Sequence, residues 1–195
     1  ALRDGVVTIF RKALRAMSNT PAEYYQKPVG SYRGDAIDQY NTGMMYAKGD
    51  GVPENHKEAF KWFKRAADNG LANAQNVLGN YYFYGGGYYE GLDLSSNQKT
   101  ATLWYKRAAE QGFAEAQYNL GNIYMISKAQ KGKPHHIDSS RNNALAYMWH
   151  TLAMSGGDPF AKPFRDQIEN KMSSAEIEAA ERMARNCALR HYKNC

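Results

Sequence analysis

Residues 59–70 read AFKWFKRAADNG, and residues 101–112 read ATLWYKRAAEQG. A second pair of matching segments follows them, AQNVLGNYYFYG at 74–85 and AQYNLGNIYMIS at 116–127. Each segment recurs after 42 residues, in the same order. A period of that size predicts a stacked-repeat protein, in which each unit is one supersecondary element that buries its apolar face only against its neighbours.

A looser copy of the second segment, DQYNTGMMYAKG, occupies residues 38–49. The three copies share a central glycine, Gly43, Gly79 or Gly121. A glycine inside a helix costs about 1 kcal/mol relative to alanine. Its recurrence at one position therefore predicts that a neighbouring helix approaches closely there.

Both segments have the period of an amphipathic helix. In the segment that carries the central glycine, the apolar stripe includes Ala74, Leu78 and Tyr82. In the other segment the apolar positions recur in both copies, and a glycine, Gly70 or Gly112, stands where a left-handed cap usually ends a helix. Each repeat is thus predicted to be a helix, a loop, a second helix and a tight turn.

The pattern A-x-x-x-L-G-x-x-Y-x-x-G, followed by a loop and A-x-x-W-Y-x-x-A-A-x-x-G, resembles the Sel-one-like repeat, a branch of the tetratricopeptide superfamily. The resemblance covers roughly residues 36–157, and the loop GDGVP at 49–53 is similar to the turn between the two helices in that family. It implies an all-α fold, an α/α right-handed superhelical solenoid of helix-turn-helix repeats with a C-terminal capping helix. The form of the third repeat and of the tail is similar to bacterial, exported members.

This interpretation divides the chain into three parts. An N-terminal helix and linker occupy 1–34, three repeats occupy 35–157, and capping helices with a tail occupy 158–195. The repeats are expected at 35–70, 71–112 and 113–157. In the third repeat we expect a long loop at 127–141 and a second helix at 144–157. The closing helix at 173–185 is expected to begin with a capping box of Ser173 and Glu176 and to cover the core of the third repeat with Ile177, Ala180 and Ala184.

Composition limits the class of partner only loosely. The chain of 195 residues has a formal net charge of +6 and an isoelectric point near 9.2, which favours acidic partners over basic ones but is too mild to imply nucleic acid. Some basic residues recur with the repeat and form either a solvated outer face or a binding stripe: Lys61, Lys64, Lys106 and Arg107. No run of eighteen apolar residues occurs, so we expect no membrane span.

The two cysteines, Cys187 and Cys195, lie within the last nine residues. They suit a disulfide that pins the tail to the closing helix, although two free thiols in a reducing cytosol are the alternative. The first residue, Ala1, agrees with cleavage of a leader or with removal of an initiator methionine. We therefore expect a periplasmic or otherwise exported protein, with a cytoplasmic location as the alternative.

No catalytic motif is evident in the chain. It has no nucleophile elbow, Walker loop or dinucleotide fingerprint, and we expect no cofactor. His135 and His136 lie in the predicted long loop, where a metal bound together with Asp138 is the alternative to a solvated loop. The chain is therefore interpreted as a non-enzyme. A hydrolase is the less favoured alternative, because a few relatives have been credited with acting on cell-wall-like substrates.

A partner is expected on the face formed by the first helices of the repeats, which lines the concave wall in the superfamily. Opposite the predicted core stripe, this face carries aromatic, Met and Asn side chains that suit a protein or peptide segment. The residues are Tyr40, Met44, Asn76, Asn80, Phe83, Tyr84, Tyr118, Asn122 and Met125. Tyr88 and Tyr89 in the following loop are further candidate contacts. Two alternatives remain open: the face is already covered within the protein, or the partner is cell-wall or acidic polysaccharide.

Overall fold

The structure is a computed structural model that describes residues 35–126 and 137–195. The predicted N-terminal helix and linker at 1–34 lie outside the described residues, as do His135 and His136. The residues from 137 to 139 are described as helix, without their side chains.

Within the described ranges the chain forms eight helices and no strand, which confirms the all-α prediction. In chain order the helices are α1 (Ala36–Lys48), α2 (His56–Asp68), α3 (Ala72–Tyr84), α4 (Gln98–Ala109), α5 (Ala114–Ile126), α6 (Ile137–Ser155), α7 (Ala161–Glu169) and α8 (Ser174–Leu189). The first six pair as α1–α2, α3–α4 and α5–α6, and α2 and α4 also pack on the helix that follows them. Contact between sequence neighbours is the arrangement that makes a solenoid.

Local sequence signals set the helix ends. Asn55 and Asn97 cap the second helices α2 and α4, because each side-chain oxygen accepts a bond from the backbone N–H three residues on. Gly70 and Gly112 follow α2 and α4 with φ of +89° and +81°. Only glycine adopts this left-handed conformation at little cost, so the predicted turns are confirmed.

The recurring glycine lets an aromatic ring of the second helix contact the backbone of the first helix. A Cβ atom on Gly43 would lie 2.7 Å from the Phe63 ring, and one on Gly79 would overlap the Tyr105 ring. In the third repeat a Cβ on Gly121 would lie 2.6 Å from Nε2 of His150. The close helix packing predicted from the glycine repeat is therefore confirmed.

A glutamine beside this glycine joins successive repeats, a feature that the sequence analysis did not identify. The Gln75 amide donates to the Ala67 carbonyl at the end of the preceding repeat, and its oxygen accepts from Gln111 at the end of its own repeat. Gln39 and Gln117 occupy the equivalent positions. Gln39 accepts from Asn69, and Gln117 donates to the carbonyl of Ala109.

The second helix of the third repeat is longer than predicted. We expected a loop at 127–141 and a helix from 144, but α6 begins at Ile137. The boundary was placed too late because polar residues such as Asn142 and Asn143 lack the apolar period that marks a helix. In the structure these polar residues are helical, and Asn143 is already buried.

The two C-terminal helices close the solenoid as predicted. Ser173 and Glu176 form a reciprocal capping box at the start of α8. Ala180 packs with Tyr147 and Ile168, and Ala184 joins the buried core of the third repeat. The helices α7 and α8 therefore bury apolar surface that a further repeat would otherwise cover.

Cys187 and Cys195 form a disulfide in the structure, with their Cα atoms 5.4 Å apart. The closed tail lies near the end of the second repeat, because a Cβ on Gly112 would lie 3.0 Å from the Tyr192 ring. Cys187 itself is buried in the core cluster that includes Trp149 and Leu152. The disulfide therefore fixes the tail against the end of the solenoid.

Reduction of this disulfide should loosen the cap without unfolding the first two repeats. For so short a loop the chain-entropy contribution is about 2–3 kcal/mol. We expect faster amide exchange from Ala184 to Leu189, with little change near Trp62, in hydrogen-exchange mass spectrometry. Two alkylatable thiols in protein isolated without reductant would show that the disulfide is absent.

Candidate functional site

The first helices α1, α3 and α5 share a surface on the side away from the second helices, which we call the first-helix face. A polar network crosses it. Tyr40 on α1 is hydrogen-bonded to Asn73 on α3. Asn76 on α3 bonds to Glu115 on α5 and accepts from Nδ2 of Asn119 at 3.0 Å. These hydrogen bonds link all three repeats and form a polar layer at the base of this face.

Three of the predicted contact residues are buried, so their predicted exposure was wrong. Asn76 and Asn80 are each 2% exposed and Met44 is 8% exposed. Asn76 belongs to the network described above, and Oδ1 of Asn80 accepts from the Tyr105 hydroxyl at 2.6 Å. Because these amides bind side chains of adjacent helices, they hold those helices together and are not available to a partner.

Two further predicted contacts are partly covered by the protein itself. Phe83 packs against the core of the third repeat, and Met125 packs against the cluster that joins α6 to the cap. Both side chains retain some exposure. At the ends of α3 and α5, therefore, the solenoid itself covers part of this face.

The loop between α3 and α4 folds back on the solenoid. Tyr89 is 4% exposed, and its ring stacks on Tyr81 with centroids 3.9 Å apart. The Tyr81 hydroxyl bonds to Nδ1 of His56 at 3.0 Å. The prediction that Tyr89 is an available loop contact is therefore wrong, because its ring holds the loop in place, whereas Tyr88 remains partly exposed.

Three of the predicted residues that remain partly exposed belong to two neighbouring pairs of aromatic rings. Tyr88 and Tyr84 have ring centroids 5.0 Å apart. Tyr118 lies within electrostatic reach of Tyr84 and packs near Phe160, with centroids 6.5 Å apart. Phe160 is 42% exposed. We call Tyr88, Tyr84, Tyr118 and Phe160 the aromatic row. Burial raises the pKa of Tyr84 to about 12, so its hydroxyl remains a neutral donor.

The third repeat differs from the second in the residue that covers the glycine. Tyr105 bonds to Asn80 in the second repeat, whereas the equivalent residues in the third are His150 and Asn122. His150 is fully buried between Tyr118 and Phe164, and neither ring nitrogen has a hydrogen-bond partner among the described residues. Burial lowers the pKa of His150 to about 4, so the ring is neutral near pH 7.

The second helices carry most of the positive charge of the repeats. The Arg65 guanidinium lies over the Trp62 ring at 4.8 Å, and Arg107 lies over Trp104 at 4.5 Å. The recurring lysines form surface ion pairs: Lys61–Glu58, Lys64–Asp68 and Lys106–Glu110. Such pairs are typical of a solvated outer face and contribute little stability.

The described part of the chain contains no group of three or more His, Cys, Asp or Glu side chains that could hold a metal ion. Asp138 belongs to α6, and the two histidines predicted to accompany it lie outside the described residues. No helix in residues 35–126 or 137–195 is long and apolar enough to cross a bilayer.

These features define an α-helical repeat solenoid whose first helices present an aromatic and polar face. The Sel1 repeat family matches residues 36–71, 72–113 and 114–158, together more than half of the chain. The chain therefore belongs to the Sel1 repeat family. The Sel1 repeat fold is typically a non-catalytic scaffold, and proteins of this family generally mediate protein–protein interactions.

The chain is similar to several known proteins. A Sel1 repeat protein from Oxalobacter formigenes has 31% identity and a TM-score of 0.53, over 68% of this chain and 89% of that chain. An F-box protein from Arabidopsis thaliana is 43% identical over 58 residues, which are 27% of this chain and 16% of the relative. The match thus spans about a sixth of that relative's length. A protective antigen of uropathogenic Escherichia coli with an SLR fold is 22% identical, with a TM-score of 0.49, over 91% of this chain and 44% of that chain.

Proposed function

We propose that this protein is a non-catalytic adaptor that binds a segment of another protein on its first-helix face. The observation that carries the proposal is the aromatic row, in which two ring pairs, Tyr88–Tyr84 and Tyr118–Phe160, lie within electrostatic reach of each other on the second and third repeats. Tyrosine is a frequent interface anchor because it combines a large apolar ring with a hydrogen-bonding hydroxyl.

The neighbouring polar groups suit an extended peptide. Asn122 lies one helical turn from Tyr118 and is hydrogen-bonded to it. Asn119 also reaches this surface and donates to Asn76. Both residues are partly exposed, but Oδ1 of Asn122 is buried, so Asn119 is the amide of this pair that can offer a hydrogen bond to a peptide backbone.

The test is partner recovery with a variant of the row. We expect the double variant Tyr84→Ala and Tyr118→Ala to lose at least 90% of the protein that co-purifies stoichiometrically with the wild-type chain from its source cells. Truncating two aromatic anchors commonly costs an interface more than 2 kcal/mol each. Quantitative mass spectrometry of the co-purified material gives the measurement.

The matched control is Leu103→Ala on α4. Leu103 is 51% exposed on a second helix, away from the aromatic row. It should leave recovery of the partner unchanged, and thermal melting should show that all variants remain folded. Equal recovery by the double variant and the wild type would exclude the aromatic row as the binding surface.

Cell-wall or acidic polysaccharide is the second candidate ligand. The observation that favours it is a repeated pair of side chains. Arg65 lies over Trp62 and Arg107 lies over Trp104, so a cation and an indole ring stand at the same position of successive repeats. Trp104 is buried under Arg107, so the contact would come from the guanidinium groups, which would bind acidic groups of the polysaccharide. Sedimentation with peptidoglycan or an acidic polysaccharide should then weaken as salt rises. Failure to sediment at low salt would remove this candidate.

We also propose an exported location, within a bacterial envelope assembly. The disulfide between Cys187 and Cys195 supports it, because structural disulfides persist in oxidising compartments. Fractionation of cells that carry the full-length gene, followed by thiol labelling of the native protein, tests the location. A fully reduced protein in the cytosolic fraction would contradict it.

A further inference from the structure

The sign of charge differs between the two sides of the repeats. The second helices α2 and α4 carry seven basic residues: Lys57, Lys61, Lys64, Arg65, Lys99, Lys106 and Arg107. The first helices α1, α3 and α5 carry only Asp38, Lys48 and Glu115. The net charge of +6 therefore does not describe the first-helix face. Much of the positive excess belongs to segments 1–34 and 127–136, which hold nine basic and two acidic residues.

Glu115 is the only charged residue on α3 and α5. It lies in the first turn of α5, partly buried, and bonds to the Asn76 amide. Asp158, just before α7, lies nearby, because a Cβ on Gly156 would lie 2.8 Å from the Cβ of Ala114 at the start of α5. Asp158 also accepts from the backbone N–H of Phe160 at 2.9 Å. No Lys or Arg of the described residues forms an ion pair with either carboxylate.

Tyrosine rings border this pair of carboxylates. Tyr40 lies within electrostatic reach of Glu115, and the Tyr118 ring lies 6.5 Å from that of Phe160, whose backbone N–H donates to Asp158. Both rings are partly exposed, and Tyr118 belongs to the aromatic row. A tyrosine face attracts a cation through its quadrupole, so these rings and carboxylates favour the same kind of ligand.

We propose that the first-helix face recognises a basic protein segment, with a Lys or Arg side chain placed against Glu115 and Asp158 between Tyr40 and Tyr118. The inference rests on the proposed function and names the chemistry of its partner. Partly burying a carboxylate without a cation is unfavourable, and a bound ammonium or guanidinium would relieve that cost. The charge of the face thus selects a basic segment, although the net charge of the chain favours acidic partners.

Burial and the nearby Asp158 both raise the pKa of Glu115. Burial, opposed in part by the Asn76 hydrogen bond, raises the pKa of Glu115, and Asp158 adds to the rise. A cation bound beside it should lower that pKa again, because an opposite charge stabilises the ionised form. Binding of a basic segment should therefore weaken as the pH falls and Glu115 becomes protonated.

The test uses the full chain labelled with ¹⁵N and three capped peptides, (Ser-Lys-Gly)₃, (Ser-norleucine-Gly)₃ and (Ser-Glu-Gly)₃. We expect the lysine peptide to shift the side-chain amide signals of Asn76 and Asn119, and the other two peptides to leave them in place. Glu115→Gln keeps an oxygen for the Asn76 bond and removes the charge. It should weaken binding of the lysine peptide about tenfold, as expected for the loss of a charge-assisted contact.

The matched control is Glu178→Gln on the exposed surface of α8, which should bind the lysine peptide as the wild type does. Asp158→Asn provides a second variant in case Glu115→Gln alters folding, and it too should weaken binding. Equal shifts with the norleucine peptide, or unchanged affinity in both variants, would overturn the proposal. The partner-recovery result with the tyrosine variants would then still stand, because that experiment tests the aromatic row and not the charge.

Discussion

Replacing Gly79 by alanine is expected to destabilise the protein by about 2 kcal/mol, which is the upper overpacking cost of about 3 kcal/mol less a helix-propensity gain of about 1 kcal/mol. Alanine is the better helix former by about 1 kcal/mol, but its Cβ would overlap the Tyr105 ring. That ring cannot easily move away, because it is buried and its hydroxyl bonds to Asn80. Overpacking of this kind costs about 1–3 kcal/mol and occasionally more, so the two helices must separate.

The matched control is Gly87→Ala in the loop after α3, where an added Cβ meets no atom within 4 Å. Thermal melting of both variants gives the comparison. At about 2–4 °C per kcal/mol for a chain of this length, Gly79→Ala should melt at least 4 °C below wild type and Gly87→Ala within about 1 °C of it. Coincident melting of Gly79→Ala and the wild type would contradict the close contact between α3 and α4.

Acidification between pH 6.5 and 4 should remove about 3 kcal/mol of stability through His150 alone. Burial lowers its pKa to about 4 in the folded protein, from the ordinary histidine value of 6.5. Between these values the unfolded chain binds a proton that the folded chain does not, so stability falls as the pH falls. Above pH 6.5 both states are neutral, and below pH 4 the loss is complete.

The variant His150→Tyr isolates this effect. It reproduces the Tyr105–Asn80 pair of the second repeat, because Asn122 stands where Asn80 stands and its Oδ1 has no partner among the described residues. Urea unfolding at pH 7 and pH 4.5 should show a smaller loss in the variant than in the wild type. Glu115 and Asp158, whose pKa values are raised, remain in both proteins and cancel in the difference. An identical loss in the two proteins would show that His150 is not buried as described.

The repeat itself could be predicted from the sequence because its signals are local. Glycine and alanine at fixed spacing predict which helix faces touch, and Gly43, Gly79 and Gly121 do mark the contacts. The start of α6 could not be predicted as well. Its first turns carry polar residues, and a polar stretch with no apolar period is equally compatible with a loop.

The binding face was harder to predict than the fold. Asn76 and Asn80 occupy the expected positions opposite the core stripe, but helical periodicity does not show that an adjacent repeat covers them. Their equivalents differ between repeats: Tyr40 and Tyr118 stand where Asn76 does, and Met44 and Asn122 stand where Asn80 does. Phe160 was not predicted as a contact residue, for a related reason. It follows the last repeat, and only the packing of α7 brings it beside Tyr118.

The central claim is that the first-helix face binds a protein segment. Site-specific photo-crosslinking in the source cells tests it most directly, with benzoylphenylalanine placed at position 84, at position 118 or, as the control, at position 103 on a second helix. We predict one crosslinked adduct of the same size from positions 84 and 118, and none from position 103. An adduct from position 103 alone, or no adduct from either first-helix position, would contradict the account.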